Sequence, residues 1–130
     1  MPKETTLYQS LRKNIPQVHW QRIESPMTQG TPDVNGCIQS KEFWLELKIA
    51  RGNKIKFSNF QCNWSLQRIV AGGKVYALIQ HDKNKWIRLY DGAQFRPLRE
   101  QGLSSIKCVC EVEPPYKEED WNLLLKNILI

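Results

Sequence analysis

The run Phe43-Trp44-Leu45-Glu46-Leu47-Lys48-Ile49 constrains this chain more than any other stretch. Phe43, Leu45, Leu47 and Ile49 alternate with the residues between them, which is the period of a half-buried strand. Successive strand side chains point to opposite faces, so Trp44, Glu46 and Lys48 share the second face. A carboxylate and an ammonium together on a central strand are costly to bury without a partner. A metal ion and a phosphate would supply one, so the pattern predicts both a sheet and a charged site on it.

Asp33 provides a second carboxylate. It lies thirteen positions before Glu46, and Gln39, Ser40 and Lys41 mark a turn between them. A reversal near residues 39 and 40 sets Glu46 or Leu47 opposite Asp33, bringing two carboxylates from adjacent strands together. Mg²⁺ takes oxygen ligands of this kind, keeps several waters and leaves room for a substrate phosphate. The backbone carbonyl of Leu47 is a candidate further ligand. Lys48 is placed to orient an attacking water or to neutralise charge on a phosphoryl group. Downstream, Ser58-x-x-Gln61 has the form of a capping box, opening a helix that runs to about Val70 and ends at Gly72-Gly73. Gln61 has two readings, capping this helix and reaching with its amide toward the charged site.

Glu-x-Lys alone says little, and Pro-Asp alone is a turn signal. In order, however, Gly30-Thr31-Pro32-Asp33, Glu46-Leu47-Lys48 and Gln61 resemble the PD-(D/E)XK nuclease superfamily. They are most similar to its VRR-NUC branch and to small phage-type members that resemble Holliday-junction resolvases. The resemblance spans about residues 1–90 and implies an α/β, restriction-endonuclease-like fold. Its αβββαβ core has a mixed central sheet flanked by helices, followed here by a C-terminal helical extension over about 91–130 that the resemblance does not cover. For function it implies hydrolysis of DNA phosphodiesters with Mg²⁺ or Mn²⁺. Asp33 and Glu46 would be metal ligands, Lys48 would stand beside the nucleophilic water, and Gln61 would support the site. The family often carries a glutamate in its first helix that points at the metal, and Glu4 is the candidate. Glu24 is expected near Asp33, either as ligand to a second ion or paired with Arg22 or Lys48. Small resolvase-like members act as homodimers on branched or junction DNA, so a homodimer is expected.

Composition agrees with these expectations. A chain of 130 residues with 25% charged residues and five Trp reads as one globular domain able to bury a core. Its formal net charge of +6 favours a polyanionic partner. Cys37, Cys62, Cys108 and Cys110 form no C-x-x-C pair, which speaks against zinc and suits a reducing compartment. No signal peptide or apolar span of membrane length is read, so the expected location is the cytoplasm (the host's, for a phage protein). No organic cofactor and no membrane partner are expected.

The remaining segments are read more coarsely. Residues 3–15 form a first helix and 17–23 a first strand, and Met27, Thr28 and Gln29 are candidates for the rim of a substrate groove. Arg51, Lys54 and Lys56 lie in a basic, glycine-containing loop suited to phosphate contacts, and Arg68 faces solvent or DNA. On the capped helix, Phe60 and Trp64 make one stripe while Cys62, Leu66, Ile69 and Val70 make another, both read as core rather than as a stacking platform. Residues 74–80 read as a strand buried on both faces, 86–90 as its hairpin partner, 93–101 as a short helix and 105–112 as a further strand. The final helix, with Trp121, Leu124, Leu125, Ile128 and Leu129, either closes the core or forms a dimer interface. Two further readings stay open: a non-catalytic nucleic-acid-binding module of the same fold, and a protein-interaction domain working through its C-terminal helix.

Overall fold

The computed structural model describes residues 3–24 and 29–130. Met27 and Thr28 of the expected groove rim lie outside these residues. Helix α1 (Glu4–Asn14) leads into β1 (His19–Arg22), β2 (Val34–Ile38) and β3 (Lys41–Ala50). Helix α2 (Asn59–Val70) then crosses to β4 (Val75–His81), which turns back through β5 (Ile87–Asp91). The extension adds α3 (Phe95–Gln101), β6 (Cys110–Val112) and α4 (Glu118–Leu129).

The six strands form one sheet in sequence order, antiparallel throughout except for the parallel β3–β4 pair. That exception has a topological cause. Helix α2 separates β3 from β4, and a crossover of this length permits parallel pairing, whereas β2–β3 and β4–β5 are joined by short turns and the longer link through α3 returns β6 antiparallel to β5. The β2–β3 hairpin reverses at Gln39 and Ser40, which adopt φ of 51° and 66°, the left-handed geometry of tight hairpin turns. Its register pairs Ile38 with Lys41 and Val34 with Leu45. One residue further, Asp33 lies opposite Glu46, as the sequence predicts.

Both faces of β3 are covered, which corrects the half-buried reading. Phe43, Leu45 and Leu47 pack with Leu7 and Leu11 of α1 and with Trp121, Leu124 and Ile128 of α4. Ala50 faces the other way, into a cluster with Ile55, Phe57, Cys62 of α2, Ala77, Ile79 and Phe95 of α3. Glu46 also lies on this second face and is only 3% exposed. The alternation was correct; the helix closing its polar face is a tertiary event.

Two further expectations change, and one open alternative is decided. The predicted strand over 105–112 shrinks to Cys110–Val112, with residues 103–105 in a 3-10 turn and 106–109 irregular. Helix α4 closes the core through Trp121, Leu124, Leu125 and Ile128, all buried, so its apolar face is not an open docking surface. On α2, Cys62 is buried as expected, but Phe60, Leu66 and Val70 are exposed at 58%, 39% and 87%. No helix among the described residues is long and apolar enough to cross a membrane.

Candidate active site

The hairpin register and the first turn of α2 bring Asp33, Glu46, Lys48 and Gln61 to one place. The backbone N–H of Asp33 donates to Glu46 Oε1 at 3.2 Å, and the N–H of Leu47 donates to Asp33 Oδ2 at 3.1 Å. The two carboxylates are thus held by reciprocal backbone-to-side-chain bonds across the hairpin. Gln61 enters from the helix, its Nε2 donating to Glu46 Oε2 at 2.6 Å. Lys48 Nζ lies 3.2 Å from Glu46 Oε2 and donates to Gln61 Oε1 at 3.2 Å.

The two readings of Gln61 hold together. Its Oε1 accepts from the Ser58 N–H at 3.0 Å while its own N–H donates to Ser58 Oγ at 3.1 Å, completing the capping box. Gly30 brings the Gly-Thr-Pro-Asp turn against this helix start. Its φ is +88°, and a Cβ there would stand 2.2 Å from the Phe60 carbonyl oxygen, so only glycine fits.

Glu46 is an unusual carboxyl. Burial first, and the charge of Asp33 second, raise its pKa from 4.5 to about 7, against the opposing pull of Lys48. A divalent cation at the pair would relieve the repulsion and the burial that Lys48 only partly offsets, and its preference for oxygen donors matches the carboxylates. Among the described residues no group of three or more His, Cys, Asp or Glu side chains gathers to hold a metal. What the chain offers is therefore a two-carboxylate site, which suits an ion that keeps waters and binds substrate oxygen, and the residues fit Mg²⁺ or Mn²⁺ on that basis.

Beside Lys48 lies a cavity of about 630 Å³ lined by Lys3, Glu4, Lys48, Ile49, Arg51, Lys54, Ile55 and Lys56. It brings the basic loop and the first turn of α1 to the same opening as Lys48. Five cationic side chains against one carboxylate make this a place for an anion. Two predicted residues fall elsewhere. Glu24 is 79% exposed and lies 3.8 Å from Arg22, the pairing alternative among its expected roles. Arg68 lies near the C-terminal end of α2, its guanidinium 4.6 Å from the Trp64 ring and 5.5 Å from that of Trp44.

Sequence reasoning missed Phe57. Lys48 Nζ sits 5.1 Å from its ring centroid, and the ring stacks on Phe95 at 4.5 Å. The extension thus braces the lysine. The signal was present: Phe57 precedes the Ser58 cap, and Cys62, four helical positions in, shares its cluster, the arrangement of a hydrophobic staple.

No protein-family model and no curated protein sequence matches the chain. Its structure is similar to that of Hjc of Archaeoglobus fulgidus, a Holliday junction resolvase from an archaeal hyperthermophile. The TM-score is 0.55 at 12% identity, over 92% of this chain and 89% of that one. The chain has the restriction-endonuclease-like fold. Coverage of 92% carries the structural likeness past residue 90, into part of the extension.

Proposed function

We propose that the chain is a metal-dependent DNA endonuclease of the VRR-NUC type, selective for branched or junction DNA and acting as a homodimer in the cytoplasm. The observation that carries this reading is the convergence of Asp33, Glu46, Lys48 and Gln61 on one point of β3, with a basic cavity beside it. The likeness in fold to a junction resolvase supports it. Residues 1–130 are taken as one nuclease domain.

Asp33, Glu46 and the Leu47 carbonyl would hold Mg²⁺ or Mn²⁺, with Glu4 at the cavity's edge as a candidate contributor through water. The bound ion would polarise a phosphoryl oxygen and acidify water. Lys48 presents an ammonium that Glu46 and Gln61 restrain, leaving donor capacity for a water or a phosphoryl oxygen as charge builds there. Gln61 fixes the orientation of both partners. Arg51, Lys54 and Lys56 position the phosphate backbone and read no sequence. Arg68, at the far end of α2, would contact DNA only on a substrate extending that way.

The test is cleavage of labelled duplex, flap and four-way-junction DNA by wild type, Asp33→Ala and Lys48→Ala, with Mg²⁺, Mn²⁺ or EDTA. Metal-dependent cutting that both substitutions abolish is expected, with branched substrates preferred. Tight binding without cutting under either metal would replace this reading with that of a structure-selective binder.

A further inference from the structure

Phe60 was expected in the core and is instead 58% exposed, one residue from Gln61. Its surroundings are not those of a stray apolar residue. Helix α3 leans over the start of α2 and lays two guanidiniums on it. Arg96 Nη1 and Nη2 donate to Asn59 Oδ1 at 3.1 Å and Asn63 Oδ1 at 2.9 Å, and Arg99 Nη1 also donates to Asn59 Oδ1. These partners are neutral amides. Neither arginine forms an ion pair among the described residues, with Glu100 on the same helix or with any other acid. Two positive charges are therefore held in place but not compensated, and the first turn of α2 carries no acidic residue to offset them.

From this geometry we infer that Phe60, with Arg96 and Arg99, forms a landing for an unpaired nucleotide of the DNA strand held at the carboxylate site. The inference rests on the nuclease reading for its partner and adds the substrate class. Cations that track phosphates beside an exposed aromatic ring are how single strands are gripped without sequence preference. A base inside a duplex already stacks on its neighbours, so the ring rewards only a base that has left the stack. The substrate favoured by this surface is splayed at the cleavage point, not a continuous duplex. A second copy of the chain is a poorer occupant, since closing an apolar contact here would desolvate two uncompensated guanidiniums.

The test measures binding in EDTA, where no cutting occurs. Fluorescence anisotropy would compare a forked duplex bearing a short unpaired arm with a fully paired duplex of equal length. Phe60→Ala is expected to weaken the fork about tenfold and to leave the paired duplex within about twofold, and Phe60→Trp to restore the fork. Arg99→Gln, at an exposed position, is expected to weaken both and to lower the salt-dependence slope by about one. Equal affinity of Phe60→Ala and wild type for the fork overturns the inference. So does a shift of Phe60→Ala from dimer to monomer in sedimentation, which would assign the ring to a contact between copies. Failure of wild type to cut with either metal refutes the nuclease reading while leaving the fork preference standing. Loss of the preference with cutting intact refutes this surface alone.

Discussion

The Gln61 amide donates to Glu46 Oε2 across 2.6 Å while its Oε1 accepts from the Ser58 N–H at 3.0 Å and from Lys48 Nζ at 3.2 Å. One side chain therefore joins a helix cap to the carboxylate and ammonium of a strand, and helix formation and site assembly become one event.

This coupling separates two substitutions that a cap alone would make equivalent. Ser58→Ala removes one cap bond and should cost about 1 kcal/mol, with cleavage close to wild type. Gln61→Ala also strips a buried carboxylate of its donor, so about 2 kcal/mol or more should be lost. Cleavage should fall by about tenfold to a hundredfold as Lys48 loses its restraint. Urea titration alongside single-turnover cleavage checks both, and equal activity of the two variants would limit Gln61 to capping.

Glu46 makes the stability of the metal-free protein fall as pH rises. Its folded pKa, about 7, lies above the ordinary 4.5 because of burial and then Asp33. The folded state thus holds a proton that the unfolded chain gives up. This contribution declines from about pH 4.5 and is fully lost above about pH 7, a change of about 3 kcal/mol. In EDTA, Glu46→Gln should flatten the decline between about pH 4.5 and pH 7, and Mg²⁺ at the upper end should raise the Tm of wild type more than that of the variant. Melting curves followed by circular dichroism decide, and parallel pH profiles for the two proteins would refute the assignment.

Two glycines with similar backbones should behave differently. Gly30 and Gly52 have φ of +88° and +84°, but a Cβ at Gly30 meets the Phe60 carbonyl at 2.2 Å whereas at Gly52 it meets nothing within 4 Å. Gly52→Ala should cost about 1 kcal/mol of backbone strain and keep activity within a few-fold. Gly30→Ala should cost more and abolish cutting, because the turn carrying Asp33 must move away from α2. Thermal melts and cleavage of the same preparations test the contrast.

Phe95 should matter to catalysis without touching the site. Its ring stacks on Phe57, over which Lys48 lies. A double-mutant cycle with Phe57→Leu and Phe95→Leu should return a coupling of about 1 kcal/mol in stability. Phe95→Leu alone should slow cleavage at temperatures where the protein stays folded. An additive cycle would show that the extension does not brace the lysine.

Metal dependence should follow the two carboxylates. Asp33→Asn keeps the shape and an acceptor for the Leu47 N–H but removes a charge, so folding should survive while cleavage drops by about a hundredfold or more. Isothermal titration with Mn²⁺ should show the corresponding loss of ion binding.

The local parts of this protein were legible in its residues. Alternation in 43–49, the turn at Gln39-Ser40 and the Ser58–Gln61 box are short-range patterns, and each fixes its element because backbone sterics and nearby hydrogen bonds act over a few residues. The register followed from the turn, and with it the meeting of Asp33 and Glu46. What covers each face emerged from the packed fold, because burial depends on partners distant in the chain. Helix α2 closes over Glu46 and makes a strand carboxylate a buried one. Helix α4 directs Trp121 into the core, α3 sets Phe95 against Phe57, and Phe60, next in sequence to the Asn59 that both α3 arginines hold, stays in water. A helical stripe read in isolation shows which residues could be buried together; whether an opposing surface exists to bury them is a property of the assembled fold.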